Sequence, residues 1–150
     1  YISMAFGSPH SGEITKRRMK TMLKDAALFG NTVVFSDTVG VGCTDDVHTW
    51  TRMARDENLT PALHLHHKGD ELKALQLIRA GLIAGVTEFD SSIGGLGGCP
   101  FAKGSGANLA TETLVRHLNS WGIDCGLSEE SLNKAMKIAW NIKNKSAIAI

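Results

Sequence analysis

The chain has 150 residues, 43% of them hydrophobic and 21% charged, with a formal net charge of +1. That balance fits one globular domain or part of one, and it leaves no basic patch interleaved with aromatics for a nucleic acid to hold. Charged and polar groups break every apolar run before the ~18–20 residues a membrane span needs, so neither nucleic acid nor membrane is expected as a partner.

In chain order, short apolar runs alternate with longer segments of helical period. Strands are predicted over Tyr1–Phe6, Thr32–Ser36, Pro61–His66 and Val86–Asp90, each of ~5 or 6 residues as strands usually are. Between them, Met19, Met22, Leu23 and Ala26 form one apolar stripe, and Leu72, Leu75, Ile78 and Leu82 a second. After the last strand come Ala110, Leu114, Leu118 and Trp121, then Leu132, Ala135, Met136, Ala139 and Ile142, with Ser128 as a cap for the final helix. This βα rhythm predicts an α/β fold of parallel strands with right-handed crossovers, either a doubly wound sheet or half of a (β/α)8 barrel. The chain opens directly on a strand pattern at Tyr1, which reads as a fragment: residues 1–150 form a partial catalytic domain. Its cysteines, Cys43, Cys99 and Cys125, are too scattered for a disulfide framework or a CxxC clip, so a reducing, intracellular compartment is expected.

In either architecture the chemistry sits at the carboxyl ends of strands. Three predicted strand ends carry polar groups: Ser36-Asp37-Thr38, His64-Leu65-His66-His67 and Asp90-Ser91-Ser92. His64 and His66, at i and i+2 on a strand, share one face, so both imidazoles can reach one metal ion or serve as hydrogen-bonded polar residues. His67 points to the other face, and His10, His48 and His117 read as isolated surface or rim residues. Asp37 and Asp90 are candidate carboxylates at strand ends, whereas Asp45 and Asp46 suit the start of a helix. Gly94 to Gly106 holds six glycines in thirteen residues, with Cys99-Pro100 at its centre. A mobile loop is expected there, and neither phosphate-binding glycine spacing is present.

The run Phe89-Asp90-Ser91-Ser92-Ile93-Gly94-Gly95-Leu96-Gly97-Gly98-Cys99-Pro100-Phe101-Ala102, followed by Asn108-Leu109-Ala110-Thr111-Glu112, resembles the signature of the 3-hydroxy-3-methylglutaryl-CoA lyase family. The resemblance continues upstream through His64-Leu65-His66, Ser36-Asp37-Thr38-Val39-Gly40-Val41-Gly42 and Tyr1 to Gly7. It implies the C-terminal half of a (β/α)8 TIM barrel, strands five to eight. It implies cleavage of 3-hydroxy-3-methylglutaryl-CoA to acetyl-CoA and acetoacetate, a step of leucine catabolism and ketone body formation. By position, His64 and His66 match the family's histidine ligands, Asn108 its asparagine ligand and Cys99 its loop cysteine.

Such a nitrogen and oxygen donor set suits Mg2+ or Mn2+. The family's carboxylate ligand and substrate arginine lie on its first strand, outside this sequence. Cys99 is expected to protonate the enolate, with His64, or less directly Asp37, as the base. The resemblance further implies an acyl-CoA thioester as partner, a homodimer at full length, and the cytoplasm or mitochondrial matrix as location. His67-Lys68 stands where the family commonly has aspartate-threonine, and Gly104 to Ala107 differ in order from the family's run before the asparagine. Two other readings compete: a Claisen-type synthase of the same metal-barrel superfamily, and an inactive half-barrel whose open sheet edges favour self-association.

Overall fold

A computed structural model describes residues 1–8, 12–98 and 106–148. Its elements are α1 (Lys16–Ala27), β1 (Thr32–Asp37), α2 (Thr44–Asp56), β2 (Thr60–His67), α3 (Glu71–Ile83) and β3 (Glu88–Asp90). A 3-10 turn (Ile93–Gly95), a two-residue strand β4 (Ala107–Asn108), α4 (Thr111–Ser120) and α5 (Glu129–Ile148) follow. Local chemistry starts the helices. Thr15 Oγ1 accepts from Arg18 N–H at the head of α1, and Asp70 Oδ1 from Lys73 N–H at the head of α3. Asp45 and Asp46 sit in the first turn of α2, where carboxylates oppose the helix dipole, and Ser128 Oγ caps α5 through Ser131 N–H.

β1 and β2 pair in parallel from Thr32↔Thr60 to Asp37↔Leu65, and β2 and β3 pair in parallel from Ala62↔Glu88 to His64↔Asp90. Ile2 extends the sheet beyond β1: its N–H donates to Val34 O at 2.8 Å and its carbonyl accepts from Ser36 N–H at 3.1 Å. Among the described residues Ile2 alone makes this parallel bridge; residues 3–6 form a turn, from which Ala5 N–H still donates to Ser36 O at 3.0 Å, so the first predicted strand is much shorter than Tyr1–Phe6. The lateral order is therefore the chain order. A doubly wound sheet reverses its order at a switch point, whereas unbroken sequential order with a helix in each crossover is the winding of a (β/α)8 barrel. The fold is half of such a barrel.

Alternation along the strands separates two faces. Val33, Phe35, Leu63 and Leu65 are almost wholly buried, in one cluster with Met19, Leu23, Val47, Trp50, Leu77 and Ile78 of the helices. Each such side chain contributes roughly 1.5–3 kcal/mol by leaving water. Ser36, His64 and His66 occupy the alternate positions and so face the concave side. Gly81 lets α3 approach β2, since a Cβ there would meet Leu63 Cδ1 at 2.7 Å. The buried face of α3 is Ala74, Leu75, Leu77, Ile78, Ala80 and Gly81. Of the expected stripe, Leu75 and Ile78 are buried and Leu82 packs against the core, whereas Leu72, in the first turn, lies off that face and is 69% exposed.

The return from the glycine-rich segment adds a feature that the βα rhythm does not foretell. β4 pairs antiparallel with the end of β2, His66↔Asn108 and His67↔Ala107. Leu109 N–H then donates to Leu65 O, Ser92 N–H to Leu109 O and Thr111 N–H to Ser92 O. The segment is wedged between the carboxyl ends of β2 and β3. Gly106 makes this possible, since a Cβ there would lie 1.4 Å from His67 O.

Candidate active site

His64 and His66 project from β2 on the concave face, with their Nε2 atoms 3.1 Å apart and ring centroids 5.0 Å apart. Asn108 is directly opposite His66 in the antiparallel pairing, and opposed residues share a face. Its Nδ2 donates to Leu96 O at 2.7 Å, which fixes the amide plane. Its Oδ1 is buried and has no hydrogen-bond partner among the described residues. Burial holds the His64 imidazole below its ordinary pKa against the pull of Asp90, and burial with the neighbouring His64 does the same to His66. Two neutral imidazoles and an orphaned amide oxygen are ligands suited to a divalent cation at neutral pH. The described residues contain no group of three His, Cys, Asp or Glu side chains arranged around a metal position, so Asn108 is the third donor on offer.

Asp90 ends β3 beside His64. Its Oδ2 accepts a hydrogen bond from the Tyr1 hydroxyl and lies 4.0 Å from His64 Nδ1. That hydrogen bond pushes the Tyr1 hydroxyl pKa up. Tyr1, His64, Asp90, Ser91 and Thr111 line an open pocket of about 480 Å³ together with Phe89. Composition gave no signal for Tyr1; only its place beside the first short pairing, Ile2, could have suggested that it reaches the concave side.

Asp37 does not join this group. It is 1% exposed and pairs in register with Leu65, so alternation puts it on the helix-facing side. Its Oδ1 accepts from Val41 N–H and its Oδ2 from Gly42 N–H, both at 2.9 Å. Burial raises its pKa while these two bonds oppose the shift. The carboxylate anchors the turn after β1. His67 also points outward, with Nε2 3.8 Å from Glu71 Oε1, and His117 Nδ1 contacts Thr113 O within α4.

Cys99 and His10 lie outside the described residues. The two flanks of the Cys99 segment are described, and they meet: a Cβ on Gly98 would be 3.6 Å from Gly106 O, and one on Gly97 3.1 Å from Asn108 Nδ2. Upstream, Gly94 N–H donates to Glu112 Oε2 at 3.0 Å and Gly94 O accepts from Lys143 Nζ at 3.4 Å. Gly94, Glu112, Lys137, Ala139, Trp140 and Lys143 help line a groove of about 870 Å³ alongside α5. Cys43 is exposed and Cys125 half-buried, and among the described residues neither joins the histidine pair in a metal-binding group.

No family model matches the chain. Over 99% of its length it is 35% identical to the mitochondrial hydroxymethylglutaryl-CoA lyase of Mus musculus, and over 97% it is 33% identical to the cytoplasmic 3-hydroxy-3-methylglutaryl-CoA lyase of Rattus norvegicus. These alignments cover 47% and 43% of the relatives, so the chain spans less than half their length. Among solved structures, the HMG-CoA lyase of Brucella melitensis superposes with a TM-score of 0.84 at 31% identity, covering 96% of this chain and 51% of that one. The HMG-CoA lyase of Acinetobacter baumannii in complex with coenzyme A and 3-methylmalate superposes with a TM-score of 0.80 at 27% identity, covering 89% and 44%.

Proposed function

We infer that this chain belongs to the hydroxymethylglutaryl-CoA lyase family, corresponds to the C-terminal half of its barrel, and carries the metal-binding side of an enzyme that cleaves 3-hydroxy-3-methylglutaryl-CoA to acetyl-CoA and acetoacetate. One observation carries this reading: the His64 and His66 Nε2 atoms, 3.1 Å apart, share a face with an Asn108 amide whose oxygen has no partner among the described residues. A divalent cation, Mg2+ or Mn2+, held by His64, His66 and Asn108 would supply Lewis acidity to the substrate hydroxyl.

The chain's own residues are assigned the remaining work. Removal of the hydroxyl proton drives cleavage of the adjacent carbon–carbon bond, and its electrons pass into an acetyl-CoA enolate. Cys99 returns a proton from its thiol to the enolate carbon. Of the two side chains considered for the base, His64 faces the concave side, whereas both oxygens of Asp37 are engaged on the other face. Asp37 therefore does not take the proton and supports the site by holding the turn after β1, while His64, with Nε2 given to the cation, acts on the proton only through Nδ1 and the neighbouring Asp90. The groove beside Gly94 suits the carrier arm of a thioester, since Trp140 offers an aromatic face and Lys137 and Lys143 offer cations for phosphate. A homodimer in the cytoplasm or mitochondrial matrix is the matching context.

The test is acetoacetate release from the thioester with added Mn2+, using the 150-residue chain and a protein in which a family N-terminal half completes the barrel. The completed protein turns over, and Cys99→Ala lowers its kcat by ~10²–10⁴, the usual scale of general acid catalysis. Full activity of Cys99→Ala in the condensation direction would favour a synthase instead. Mn2+ binding without turnover by the chain alone would assign it the metal site only.

A further inference from the structure

Asp90 and Tyr1 form a contact that folding stability does not explain. Tyr1 is 78% exposed, and a hydrogen bond at such a position adds little to the folded state. The contact nevertheless brings a carboxylate to His64. Asp90 pairs with His64 in the β2–β3 register, its Oδ2 accepts from the Tyr1 hydroxyl, and the same oxygen lies 4.0 Å from His64 Nδ1. That nitrogen is buried and has no hydrogen-bond partner among the described residues. The Tyr1 ring stands edge-on to the imidazole, with centroids 6.2 Å apart and planes at 77°. His64 is thus flanked by an aromatic edge and a carboxylate held in place by that same tyrosine.

We propose that Asp90, anchored by the Tyr1 hydroxyl, is a positioning residue that takes a hydrogen bond from His64 Nδ1–H and so keeps the Nε2 lone pair turned toward His66 and Asn108. A neutral imidazole carries one N–H, and the partner of one nitrogen decides which tautomer is present. Histidines that bind metals usually donate their second N–H to a carboxylate or carbonyl, which fixes ring orientation. The 4.0 Å separation is about 1 Å longer than a hydrogen bond, within the span of a side-chain rotation. The inference rests on the reading of His64 as a metal ligand.

Two measurements on the same protein keep the two readings apart. Long-range 1H–15N spectra of the imidazole rings, recorded without metal, report the His64 tautomer. Titration with Mn2+ followed by electron paramagnetic resonance reports affinity. In the wild type His64 is expected as the Nδ1–H tautomer. Asp90→Ala loses that preference and weakens Mn2+ binding by ~10-fold or more, the usual cost of removing such a partner. Asp90→Asn keeps an acceptor oxygen and the tautomer, and Tyr1→Phe gives a smaller loss in both readouts. An unchanged tautomer in Asp90→Ala overturns the proposal even if Mn2+ still binds through His64 and His66. Should Asp90→Ala fail to fold, an unchanged tautomer and affinity in Tyr1→Phe overturns it. A tautomer that responds in a protein that never binds Mn2+ leaves the positioning role standing and removes the metal reading.

Discussion

Tyr1 and Asp90 are hydrogen-bonded although 89 positions separate them, and the bond reaches from the first strand segment to β3 across the two strands between. The concave face is therefore closed over at one point by side chains, with His64 beneath the bridge.

Metal binding should depend on the three donors unequally. His66→Ala removes a buried imidazole and the ring partner of His64, and leaves the backbone pairing with Asn108 in place. Its Mn2+ affinity is expected to drop by well over ~10-fold, the scale on which even outer partners act. Calorimetric titration checks this, and wild-type affinity in His66→Ala would discard the site.

Asp37 should matter for stability before it matters for turnover. Asp37→Ala leaves Val41 N–H and Gly42 N–H without their acceptor, and an orphaned buried group costs about 1–3 kcal/mol. A urea midpoint shift equivalent to about 2–4 kcal/mol is expected. Asp37→Asn, which retains one acceptor oxygen, should recover part of it.

The histidine pair should make the protein less stable in acid. Both imidazoles titrate below their ordinary value of 6.5 in the folded chain. On acidification the unfolded chain takes up protons first, so this stability is complete above that value and is lost as pH falls through the depressed folded values. Asp37, raised by burial, has the opposite sign. The histidine contribution is therefore read as the difference between wild type and His64→Gln/His66→Gln in urea unfolding at about pH 7.5 and about pH 5. A wild type that gained more stability in acid than the variant would contradict it.

Gly106→Ala tests the wedge at the end of β2. The added Cβ collides with His67 O, so β4 must move away from β2 and take Asn108 with it. Stability is expected to fall by about 1–3 kcal/mol or more, as for other overpacked sites. Mn2+ affinity should fall with it, while the parallel pairing of β1, β2 and β3 survives in amide exchange.

Trp140→Ala and Lys137→Ala probe the groove beside Gly94. Removing contacts to a carrier arm remote from the cleaved bond should raise KM and leave kcat nearly unchanged. Equal losses in kcat and kcat/KM would mean that the groove serves the reacting end instead.

Much of this arrangement was legible in the residues. The i, i+2 spacing of His64 and His66 on a strand is enough to put both rings on one face, and the βα rhythm yields three of the four strands nearly to their limits. Alternation could also have separated Asp37 from Ser36, but a strand-end rule alone does not say which face a strand end presents. Asn108 is different: no local period relates it to His66, and its place follows from an antiparallel return that Gly106 permits. Only family likeness pointed to it. Tyr1 and Asp90 were illegible as a pair because a contact across the sheet interior leaves no spacing in the chain. Leu72 failed for a plainer reason, since i, i+3 counting from the first residues of a helix drifts off a stripe of period 3.6.

Asn108 has two attachments, its backbone to His66 and its side-chain amide to Leu96 O at the base of the glycine-rich segment. A single amide plane therefore presents Oδ1 to the donor cluster and Nδ2 to Leu96 O, so a cation taken up at the one end would bear on the other. Linkage makes such a coupling reciprocal. Whatever factor a cation at the Asn108 oxygen adds to the affinity for a ligand that touches Leu96, that ligand must return to the cation.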